Sequence, residues 1–461
     1  MLEHAIAEAL TGGQWHGATR EAVIHGAATD SRQVQPGCLF ACLPGARVDG
    51  HDFAATAVGD GAAMILASKL LTAPVPVLVV ADVSAALGVL AAEFRRRLTG
   101  VRWIGVTGSN GKTTVKELIA AACATSGPVH ATAGNLNNHL GLPITVLNTP
   151  AHTRFAVIEM GANHAGEIAA LAAISQPEIG VITTIGPAHL EGFGSLDGVA
   201  RAKSELFAAL PADAPAILGV TGLDEIARRH GTTAERLLDA VRAQARGRRL
   251  MLVGSPENPV DGAVESDGVT LRTLAGSARV QLLGAHNLTN AAVAVEAAIA
   301  AGVAPRAALA GLQGMHPVAG RLTARRAGAH LVIDDTYNAN PGSMIAGLQV
   351  LAARTGPRLA VLGGMGELGS ELESGHRLVG AEAARLGLPL VVVGPRAAPI
   401  AAAYRDAGGP SCVEVPSREA AVSAVLITIG ETPTTILVKA SRSSGLEIVV
   451  EGLIAACGGP C

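Results

Sequence analysis

The sequence predicts an α/β protein whose domains are built on mostly parallel sheets. Strand-like apolar runs alternate with helix-like runs almost throughout its 461 residues, a pattern typical of parallel strands covered by helices. That length fits about three domains. Hydrophobic residues make up 49% of the chain and aromatic residues only 2%. Ala, Val and Leu must therefore fill the cores, which suits helices packed on parallel sheets.

Three blocks follow one another along the chain. Residues 1–99 hold short strands and end in a helix predicted at 84–98. Residues 100–316 carry a strand, a glycine-rich turn and a helix, and then more strands; we predict strands at 101–106, 155–159 and 179–185 and a helix at 115–125. Residues 317–461 repeat a strand–helix rhythm, with strands predicted at 331–335, 359–363, 390–394, 413–415 and 436–439 and helices such as 343–353. Residues 315–317 predict a hinge between the last two blocks.

The bulk composition argues against several functional classes. The net charge is −3 and the isoelectric point is near 6.5, so the chain lacks the basic surface of a nucleic-acid-binding protein. Its first ten residues lack the cationic start and apolar core of a signal peptide. Its longest apolar runs, near 75–80 and 388–393, are too short to cross a bilayer. We therefore expect no nucleic-acid partner and no membrane insertion.

The cysteines indicate a reducing compartment. Six cysteines in 461 residues are too sparse for a disulfide scaffold. The pairs Cys38/Cys42 and Cys457/Cys461 are each spaced by four, and a metal site from them is an alternative. Neither pair has the two-residue gap or the histidine partners of a zinc site. Unpaired thiols are the favoured interpretation, and they predict a cytoplasmic protein.

The most informative stretch is 105–114, which reads Gly-Val-Thr-Gly-Ser-Asn-Gly-Lys-Thr-Thr. Glycines let such a turn bring backbone N–H groups against phosphate, and the N-terminus of the following helix adds positive potential. Lys112 would reach the outer phosphates and Thr113 would ligate Mg²⁺. Val106 stands where the usual phosphate loop has its first glycine, so the loop is a variant. A glycine-rich turn without any ligand is the alternative interpretation.

Two further strand ends carry candidate metal ligands. In open α/β sheets, ligands bind outside the carboxyl ends of the strands. Glu159 ends the second predicted strand of the central block, and His189 follows shortly after the third. Together with the hydroxyl of Thr113, these side chains would hold Mg²⁺ beside the phosphates of a nucleotide. Taken singly, Glu159 is also explained as a buried acid bonded to backbone amides, and His189 as a cap of the next turn.

Four other residues are ambiguous on pattern alone. Lys203 falls in a predicted amphipathic helix that Ser195 would cap, and this position favours a solvent-exposed lysine. Asn287 and Asn290 lie three apart on one helix face, where amides would bond the edge of an adenine. Capping of that helix by Asn287 is the alternative. Arg321 either binds phosphate or points into water.

Several motifs together resemble the Mur ligases of peptidoglycan synthesis. They are Thr-Gly-Ser-Asn-Gly-Lys-Thr-Thr at 107–114, Glu-Met-Gly-Ala at 159–162, Gly-Pro-Ala-His-Leu-Glu at 186–191, His-Asn-Leu-Thr-Asn at 286–290 and Gly-Arg at 320–321. Four more stretches resemble the branch of this family that joins D-alanyl-D-alanine to UDP-N-acetylmuramoyl-tripeptide. They are Thr-Asp-Ser-Arg at 29–32, Gly-Asn-Leu-Asn-Asn-His-Leu-Gly-Leu-Pro at 134–143, Asp-Asp-Thr-Tyr-Asn-Ala-Asn-Pro at 334–341 and Lys-Ala-Ser-Arg at 439–442. The motifs cover nearly the whole chain in the order of the family.

The resemblance implies three domains and one reaction. Residues 1–99 would bind the UDP end of the substrate, residues 100–316 would form the central P-loop ATPase domain, and residues 317–461 would form a mobile Rossmann-like domain. The tripeptide carboxylate would attack the γ-phosphate of ATP. The amine of D-alanyl-D-alanine would then displace phosphate from the resulting acyl phosphate. We expect a monomer, although the sequence itself does not determine the oligomeric state.

The same resemblance implies roles for individual residues. Catalysis would depend on Lys112, His189, Lys203 and Arg321. Lys203 would form a carbamate with CO₂, and the metal ligands would then be Thr113, Glu159, His189 and Lys203. Asn290 would contact adenine, Asp335 the ribose and Arg321 the phosphates. The complete set of ATP contacts would be Gly108, Ser109, Asn110, Gly111, Lys112, Thr113, Thr114, Asn287, Asn290, Arg321 and Asp335. Substrate contacts would be Ser31 and Arg32 near the uridine diphosphate, together with Asn135, Asn137, Asn138, Asn338 and Asn340.

Two stretches depart from the family pattern. Residues 217–224 read Ile-Leu-Gly-Val-Thr-Gly-Leu-Asp where the family usually has an Asn-Ala-Asp segment, so the contacts of the region up to about 260 are not assigned. Residues 363–367 read Gly-Gly-Met-Gly-Glu, so the acidic or polar residue of the usual Gly-Glu-Met is altered.

Two rival functions remain open from the sequence. Another ligase of the superfamily, adding a different amino acid or extending folate with glutamate, would share the central domain; the motifs at 134–143 and 334–341 disfavour it. A non-catalytic nucleotide-binding module would not need Glu159, His189 and Lys203, so the complete metal set argues against it. The sequence does not say whether the third residue of the tripeptide is lysine or diaminopimelate.

Overall fold

The computed structural model describes residues 4–17, 24–45 and 48–458. Cys461, half of one predicted cysteine pair, lies outside these residues. Each of three successive stretches of the chain forms its own sheet with covering helices. This is the α/β, three-domain arrangement that the sequence predicts.

The N-terminal domain contains a short sheet with the strand order β1-β5-β4-β3-β2. Strand β1 runs antiparallel to β5, and the other neighbours are parallel. The strands are β1 Gln14–His16, β2 Ala27–Ala28, β3 Leu39–Ala41, β4 Met64–Ala67 and β5 Val77–Val79, and the helices are α1 His4–Thr11, α2 Ala54–Gly59 and α3 Val83–Arg97. Asp82 begins α3, because its side chain accepts a hydrogen bond from the backbone N–H of Ala85.

The central domain is built on a parallel sheet with the order β11-β10-β9-β6-β8-β7. Its strands are β6 Arg102–Thr107, β7 Val129–Ala131, β8 Phe155–Glu159, β9 Ile179–Ile182, β10 Pro215–Gly219 and β11 Arg249–Val253. The helices are α4 Lys112–Ala124, α5 Gly141–Leu147, α6 Glu167–Ser175, α7 Leu190–Phe193, α8 Leu196–Ala208, α9 Leu223–Arg229, α10 Ala234–Gln244, α11 His286–Ala300 and α12 Pro305–Gln313.

An antiparallel sheet follows the parallel one within the same domain, and the strand–helix rhythm of the sequence does not predict it. It has the order β12-β13-β14, with β12 Asp261–Val264, β13 Val269–Thr273 and β14 Gly276–Val280. Buried and exposed side chains alternate along β14, as expected for a sheet with one face in water. Because apolar and polar residues alternate in such a strand, it contains no continuous apolar run that the sequence could reveal.

The C-terminal domain carries a mixed sheet with the order β15-β16-β20-β17-β18-β19, in which β15 is antiparallel to β16 and the remaining neighbours are parallel. The strands are β15 Thr323–Ala327, β16 His330–Asp335, β17 Arg358–Gly363, β18 Leu390–Val393, β19 Cys412–Val415 and β20 Thr435–Lys439, and the helices are α13 Pro341–Ala352, α14 Leu372–Arg385, α15 Ala398–Asp406, α16 Arg418–Ile429 and α17 Glu447–Cys457. The predicted strand–helix rhythm is confirmed here, with ends that differ by one or two residues.

The N-terminal domain is joined firmly to the central one. Buried residues of α3 belong to the same apolar core as those of α6 and α8. The guanidinium of Arg95 in α3 donates to the carbonyls of Ser175 and Gln176 at the end of α6. The side chain of Asn148 exchanges two hydrogen bonds with the backbone of Ala27. Shared core and polar contacts therefore fix these two domains against each other.

Polar side chains collect where the parallel strands of the central sheet end. Strand β6 ends at Thr107, β8 at Glu159 and β9 at Ile182, so the predicted strand at 179–185 is three residues shorter than expected. Helix α4 begins at Lys112 rather than at residue 115.

Among the described residues, no helix combines the length and apolar character that a membrane crossing requires.

Candidate active site

The phosphate loop joins β6 to α4 at the carboxyl edge of the central sheet. Gly108 has a φ of 144°, and a Cβ there would lie 2.0 Å from Oγ1 of Thr183. Gly111 has a φ of 79° and directly precedes α4; a Cβ there would lie 2.9 Å from Oδ1 of Asn290. Only glycine suits both positions. Val106 lies buried inside β6, so the position of the usual first glycine belongs to the strand in this protein.

Side chains anchor the phosphate loop to the residues that follow β9. Oγ of Ser109 donates to the carbonyl of Gly186 at 2.7 Å and accepts from its N–H at 2.9 Å. The carbonyl of Asn110 accepts a hydrogen bond from Thr183. Nζ of Lys112 donates to the carbonyl of Gly108 at 2.9 Å. Burial lowers the pKa of Lys112 because it disfavours the charged amine. Lys112 thus lies at a helix N-terminus, where a bound anion would stabilise its charged form in place of the lost hydration.

Thr113 and Glu159 are in direct contact. Oγ1 of Thr113 donates to Oε2 of Glu159 at 2.9 Å, and Nδ2 of Asn137 donates to Oε1 of the same carboxylate at 2.8 Å. Glu159 is buried, and its carboxylate partners are these side chains. The alternative of an acid bonded to backbone amides is therefore wrong. A hydroxyl and a carboxylate, the oxygen donors that Mg²⁺ prefers, lie side by side at the start of α4.

His189 lies directly before α7 in a left-handed backbone conformation, with a φ of 51°. Its side chain makes no capping hydrogen bond, so the alternative of a turn cap is wrong. Nδ1 lies 3.5 Å from Oε2 of Glu367, a residue of the C-terminal domain. Burial, together with the nearby charges of Lys112 and Lys203, lowers the pKa of His189 to about 4. The imidazole is therefore neutral at physiological pH, the form that ligates metals.

Lys203 is buried, with 1% of its surface exposed, and the solvent-exposed lysine favoured by the pattern alone is wrong. Its neighbours on the helix face, Val199, Leu206 and Phe207, are buried and apolar; that spacing is the signal that would have found it. Ser195 caps the helix as expected. Nζ of Lys203 donates to the carbonyl of Ala162 at 3.1 Å.

Burial makes the Lys203 amine chemically unusual. Loss of water, and secondly the charge of Lys112, lower its pKa to about 7. An ordinary lysine has a pKa near 10.4 and is almost fully protonated at pH 7. A large share of Lys203 is therefore a neutral amine, the form that reacts with CO₂.

The four candidate metal ligands form two neighbouring pairs. Thr113 is bonded to Glu159, while His189 and Lys203 both lie on the ring of Phe193, at 6.4 Å and 5.0 Å from its centroid. Within the described chain, no group of three or more His, Cys, Asp or Glu side chains is placed to hold a metal. A cation site here would therefore need further oxygen donors, such as the Thr113 hydroxyl and an anion made from Lys203. With those additions the donor set fits Mg²⁺.

Asn287 and Asn290 form a buried amide pair at the start of α11. Nδ2 of Asn290 donates to Oδ1 of Asn287 at 2.7 Å, and Nδ2 of Asn287 donates to the carbonyl of Leu283 at 2.8 Å. Asn287 therefore donates instead of accepting from the helix N-terminus, and the capping alternative is wrong. Oδ1 of Asn290 packs against Gly111, which places this amide beside the phosphate loop.

Arg321 reaches the phosphate loop from the C-terminal domain. Its Nη2 donates to Oγ1 of Thr113 at 2.9 Å, and its guanidinium carbon lies 4.4 Å from the ring centroid of Tyr337. Nε of Arg321 is buried and has no hydrogen-bond acceptor among the described residues. A buried guanidinium N–H without a partner is costly. An anionic ligand at this position would satisfy it.

Asp335 ends β16 and is paired with Lys439, which ends β20. Nζ of Lys439 lies 2.7 Å from Oδ2 of Asp335 and donates to the carbonyl of Asn338 at 3.0 Å. The other oxygen of Asp335 accepts from the N–H of Leu322. Both charged side chains are buried. The pair fixes Asp335 at the edge of the C-terminal sheet.

The candidate substrate residues of the C-terminal domain separate into two kinds. Nδ2 of Asn340 donates to Oδ1 of Asn110 in the phosphate loop at 2.7 Å, while its Oδ1 caps α13. Asn338 is exposed, and its side chain accepts from the N–H of Ala339. Asn340 thus belongs to the contact between domains, whereas the amide nitrogen of Asn338 has no hydrogen-bond partner among the described residues.

The loop at 134–140 divides its asparagines in the same way. Asn137 holds the carboxylate of Glu159, as described above. Oδ1 of Asn138 accepts from the N–H groups of Leu140 and Gly141 and so begins α5. Asn135 is exposed. The structure therefore brings Asn137, and neither of the other two, into hydrogen-bond contact with the candidate metal ligands.

Ser31 and Arg32 lie in the N-terminal domain, in a short 3₁₀ helix that follows β2. Arg32 is highly exposed and makes two side-chain hydrogen bonds to Asp30; these hydrogen bonds lower the pKa of the aspartate. No hydrogen bond or ion pair between described residues joins Ser31 or Arg32 to the phosphate loop. They lie in a separate part of the protein, where the charge of Arg32 is paired with that of Asp30.

Sequence reasoning missed three residues of the site. Phe193 supports His189 and Lys203, Tyr337 supports Arg321, and Glu367 faces His189. The altered stretch at 363–367 marked the last of these only as a departure from the family pattern. Gly364 in that stretch has the side chain of Arg396 within 3.0 Å of its ideal Cβ, so any larger residue there would require Arg396 to shift.

Family models match most of the chain. The model of the Mur ligase middle domain covers residues 106–298, that of the Mur ligase glutamate ligase domain covers 320–442, and that of the Mur ligase family catalytic domain covers 23–95. These ranges contain every candidate residue of the site.

Relatives of known function match over more than nine-tenths of the chain. The UDP-N-acetylmuramoyl-tripeptide–D-alanyl-D-alanine ligase of Escherichia coli is 40% identical over 432 residues, which is 92% of each chain. The crystal structure of MurF from Acinetobacter baumannii has a TM-score of 0.85 at 33% identity and covers 97% of this chain and 98% of that one. The MurF ligase of Thermotoga maritima, solved in complex with ADP, has a TM-score of 0.79 at 25% identity, with 95% and 99% covered.

Proposed function

The chain belongs to the Mur ligase family, and we infer how its residues perform the activity of the relatives that it matches over more than nine-tenths of its length. It is an ATP-dependent ligase that adds D-alanyl-D-alanine to UDP-N-acetylmuramoyl-tripeptide in peptidoglycan synthesis. The observation that carries this function is the meeting of Lys112, Thr113, Glu159 and Arg321 at one helix N-terminus. It is the place where a triphosphate would be neutralised.

ATP binding is proposed to use both larger domains. The loop residues Gly108, Ser109, Asn110, Gly111, Lys112, Thr113 and Thr114 would hold the phosphates. Arg321 would contact the same phosphates, which is supported by its buried and unpartnered Nε. Asp335 would bind the ribose, and Asn287 and Asn290 would bind the adenine. In support of the amide roles, both side chains are buried, and that of Asn290 lies beside Gly111 of the phosphate loop.

The metal site is proposed to need a modified lysine. The neutral amine of Lys203 would add to CO₂ and lose one proton, which gives a carbamate with one negative charge. Its low pKa and its burial beside His189 support this. Thr113, Glu159, His189 and carbamylated Lys203 would then hold Mg²⁺. Bound Mg²⁺ would offset negative charge on the phosphates.

The reaction is proposed to proceed through an acyl phosphate. The terminal carboxylate of the tripeptide attacks the γ-phosphorus of ATP, and ADP leaves. The amine of D-alanyl-D-alanine then attacks the acyl carbon, the C–N bond forms, a proton is lost and inorganic phosphate leaves. Lys112 and Arg321 would hold the anions together, since catalysis of this kind depends on positioning and electrostatics. No side-chain nucleophile is required.

Further proposals concern the substrate and the domains. Ser31 and Arg32 would lie near the uridine diphosphate, and Asn135, Asn137, Asn138, Asn338 and Asn340 would line the path of the peptide.

Domain boundaries are proposed at 99/100 and 316/317, which is supported by the strands that each sheet contains. We propose that the chain is a monomer. A cytoplasmic location is proposed from the need for ATP and from the free described cysteines.

One experiment tests the function directly. Phosphate release from ATP is measured with UDP-N-acetylmuramoyl-tripeptide and a panel of amines: D-alanyl-D-alanine, D-glutamate, L-lysine and meso-diaminopimelate. We expect release only with the dipeptide, with a pentapeptide product in the mass spectrum. Release that depends on a single amino acid would assign the chain to another ligase of the family. Lysine and diaminopimelate forms of the tripeptide, compared in parallel, would identify the natural substrate.

A further inference from the structure

Glu367 of the C-terminal domain lies opposite His189 of the central domain. Oε2 of Glu367 is 3.5 Å from Nδ1 of His189. Both residues have left-handed backbones, with φ values of 60° and 51°, and such values are uncommon outside glycine. Two residues held in costly conformations and facing each other across a domain boundary indicate a functional position.

The loop that carries Glu367 is anchored close to its tip. The N–H of Met365 donates to Nε2 of the buried His376 at 2.9 Å. The carbonyl of Gly364 accepts from the hydroxyls of Ser441 and Ser444 at 2.9 and 3.2 Å. These contacts fix the backbone two and three residues before Glu367. The carboxylate is therefore presented to the cleft by a positioned loop.

The charges around the cleft indicate that the ammonium group of the dipeptide needs a carboxylate partner. Lys112 and Arg321 are cationic, and the attacking amine of the dipeptide is itself an ammonium ion near neutral pH, with a pKa of about 8. Two carboxylates of the cleft are already engaged, Glu159 by Thr113 and Asp335 by Lys439. An ammonium group that enters the cleft would therefore need a different acid as its partner.

Glu367 has the properties that such an acid needs. Its side chain is 65% exposed, and among the described residues no group donates a hydrogen bond to its carboxylate. Its charge also acts on Lys112, so it lies within electrostatic range of the phosphate loop. We propose that Glu367 binds the ammonium group of the incoming D-alanyl-D-alanine and directs its nitrogen towards the activated carboxyl group. This rests on the proposed function; the role is binding and orientation, with no covalent step.

The test compares Glu367→Gln with Glu373→Gln, which removes the same charge from an exposed site in the same domain. In Glu367→Gln we expect the KM for D-alanyl-D-alanine to rise about ten- to a hundredfold, as for the loss of a hydrogen bond to a charged group. The KM values for ATP and the UDP-tripeptide, and single-turnover ADP formation without dipeptide, should stay within about twofold of the wild type. Glu373→Gln should match the wild type in all of them.

A neutral probe separates ammonium recognition from a change in shape. D-Lactyl-D-alanine carries a hydroxyl in place of the ammonium group, so its inhibition constant should be the same in wild type and Glu367→Gln. An unchanged KM for the dipeptide in a folded Glu367→Gln variant overturns the inference. A raised Mg²⁺ requirement with an unchanged dipeptide KM also overturns it and assigns Glu367 to His189. If the wild type itself forms no product, the proposed function fails instead.

Discussion

Arg321 donates a hydrogen bond through Nη2 to Oγ1 of Thr113, across the boundary between the C-terminal and central domains, at 2.9 Å. The two residues are 208 positions apart in the chain. Oγ1 of Thr113 in turn donates a hydrogen bond to Glu159, so one series of hydrogen bonds connects the C-terminal domain to the end of β8. The phosphate loop is thus contacted by both domains that must act on one ATP molecule.

Replacement of Arg321 by lysine should abolish most of the activity while charge is retained. Lysine lacks the planar fork that donates to phosphate and stacks on Tyr337. We expect kcat to fall by about 10²–10³-fold, the effect of losing one preorganised donor. Steady-state ligation assays measure this, with Arg326→Lys as control, because Arg326 is an exposed arginine of β15, the strand that follows Arg321. An Arg321→Lys variant with wild-type kcat would contradict a role at the phosphates.

Replacement of Lys112 by alanine should stop turnover and spare the fold. Its side chain makes one hydrogen bond, to the carbonyl of Gly108, so we expect stability to change by about 1 kcal/mol. Turnover should fall by about 10³-fold or more, since the cation at the helix N-terminus is lost. Ligation assays and thermal melting measure the two effects. Normal ligation by the folded variant would refute the phosphate-loop assignment.

Lys203→Ala should be almost inactive and should recover part of its activity when a short-chain carboxylic acid is added. The added acid would replace the oxygens of the carbamate. Lys203→Met is the matched variant, because it fills the space that the acid needs and should not be rescued. A fully active alanine variant, together with an unmodified lysine in the protein mass under CO₂, would count decisively against the carbamate.

The pKa of Lys203 gives this prediction a pH dependence. With a value of about 7, the amine is mostly protonated at pH 6 and mostly neutral at pH 8. At a fixed concentration of dissolved CO₂, the carbamylated fraction should therefore rise between these pH values and fall as the solution is acidified. ¹³C NMR with labelled CO₂ measures that fraction. A signal that does not rise between pH 6 and pH 8 would contradict control of carbamate formation by the protonation of Lys203.

The sequence predicts the parallel core well because long apolar runs between glycine turns mark its strands. The predicted strand at 155–159 matches β8 in full. Single side chains are harder, because their burial depends on what packs against their helix. Lys203 is the example: its charge predicted a solvent-exposed side chain, whereas it is buried together with Val199, Leu206 and Phe207 on the same helix face. The apolar neighbours, read together, carry more information than the residue type.

Contacts between domains lie beyond what the pattern of the sequence can predict. Asn340 bonds to Asn110 although 230 positions separate them, and Glu367 meets His189 only because a loop after β17 faces the turn before α7. Neither pair has a local signal, since turn residues such as asparagine and glycine occur in many loops. The relative position of two sheets decides these contacts, and only the three-dimensional structure gives it.

Lys439→Ala should destabilise the C-terminal domain more than most single substitutions. It leaves the buried carboxylate of Asp335 without its cation, and we expect a loss of about 3–5 kcal/mol. Urea unfolding, followed by fluorescence and circular dichroism together, measures it. The double variant Asp335→Asn, Lys439→Met removes both charges and should recover most of the stability. A single variant as stable as the double variant would show that the ion pair does not control the packing here.

The C-terminal domain should rotate towards the central domain when ATP and the UDP-tripeptide bind. The phosphate loop lies before the hinge predicted at 315–317 and Asp335 lies after it, yet both are proposed to contact the same ATP molecule. Closure would exclude water, which otherwise hydrolyses an acyl phosphate. Arg321 lies close to the hinge and already reaches Thr113, so phosphate binding at Arg321 would be coupled to the position of the domain. Small-angle scattering should show a smaller radius of gyration for the protein with a non-hydrolysable ATP analogue and the UDP-tripeptide bound than for the protein without them. An unchanged radius, with binding of both ligands confirmed by calorimetry, would reject closure for this protein.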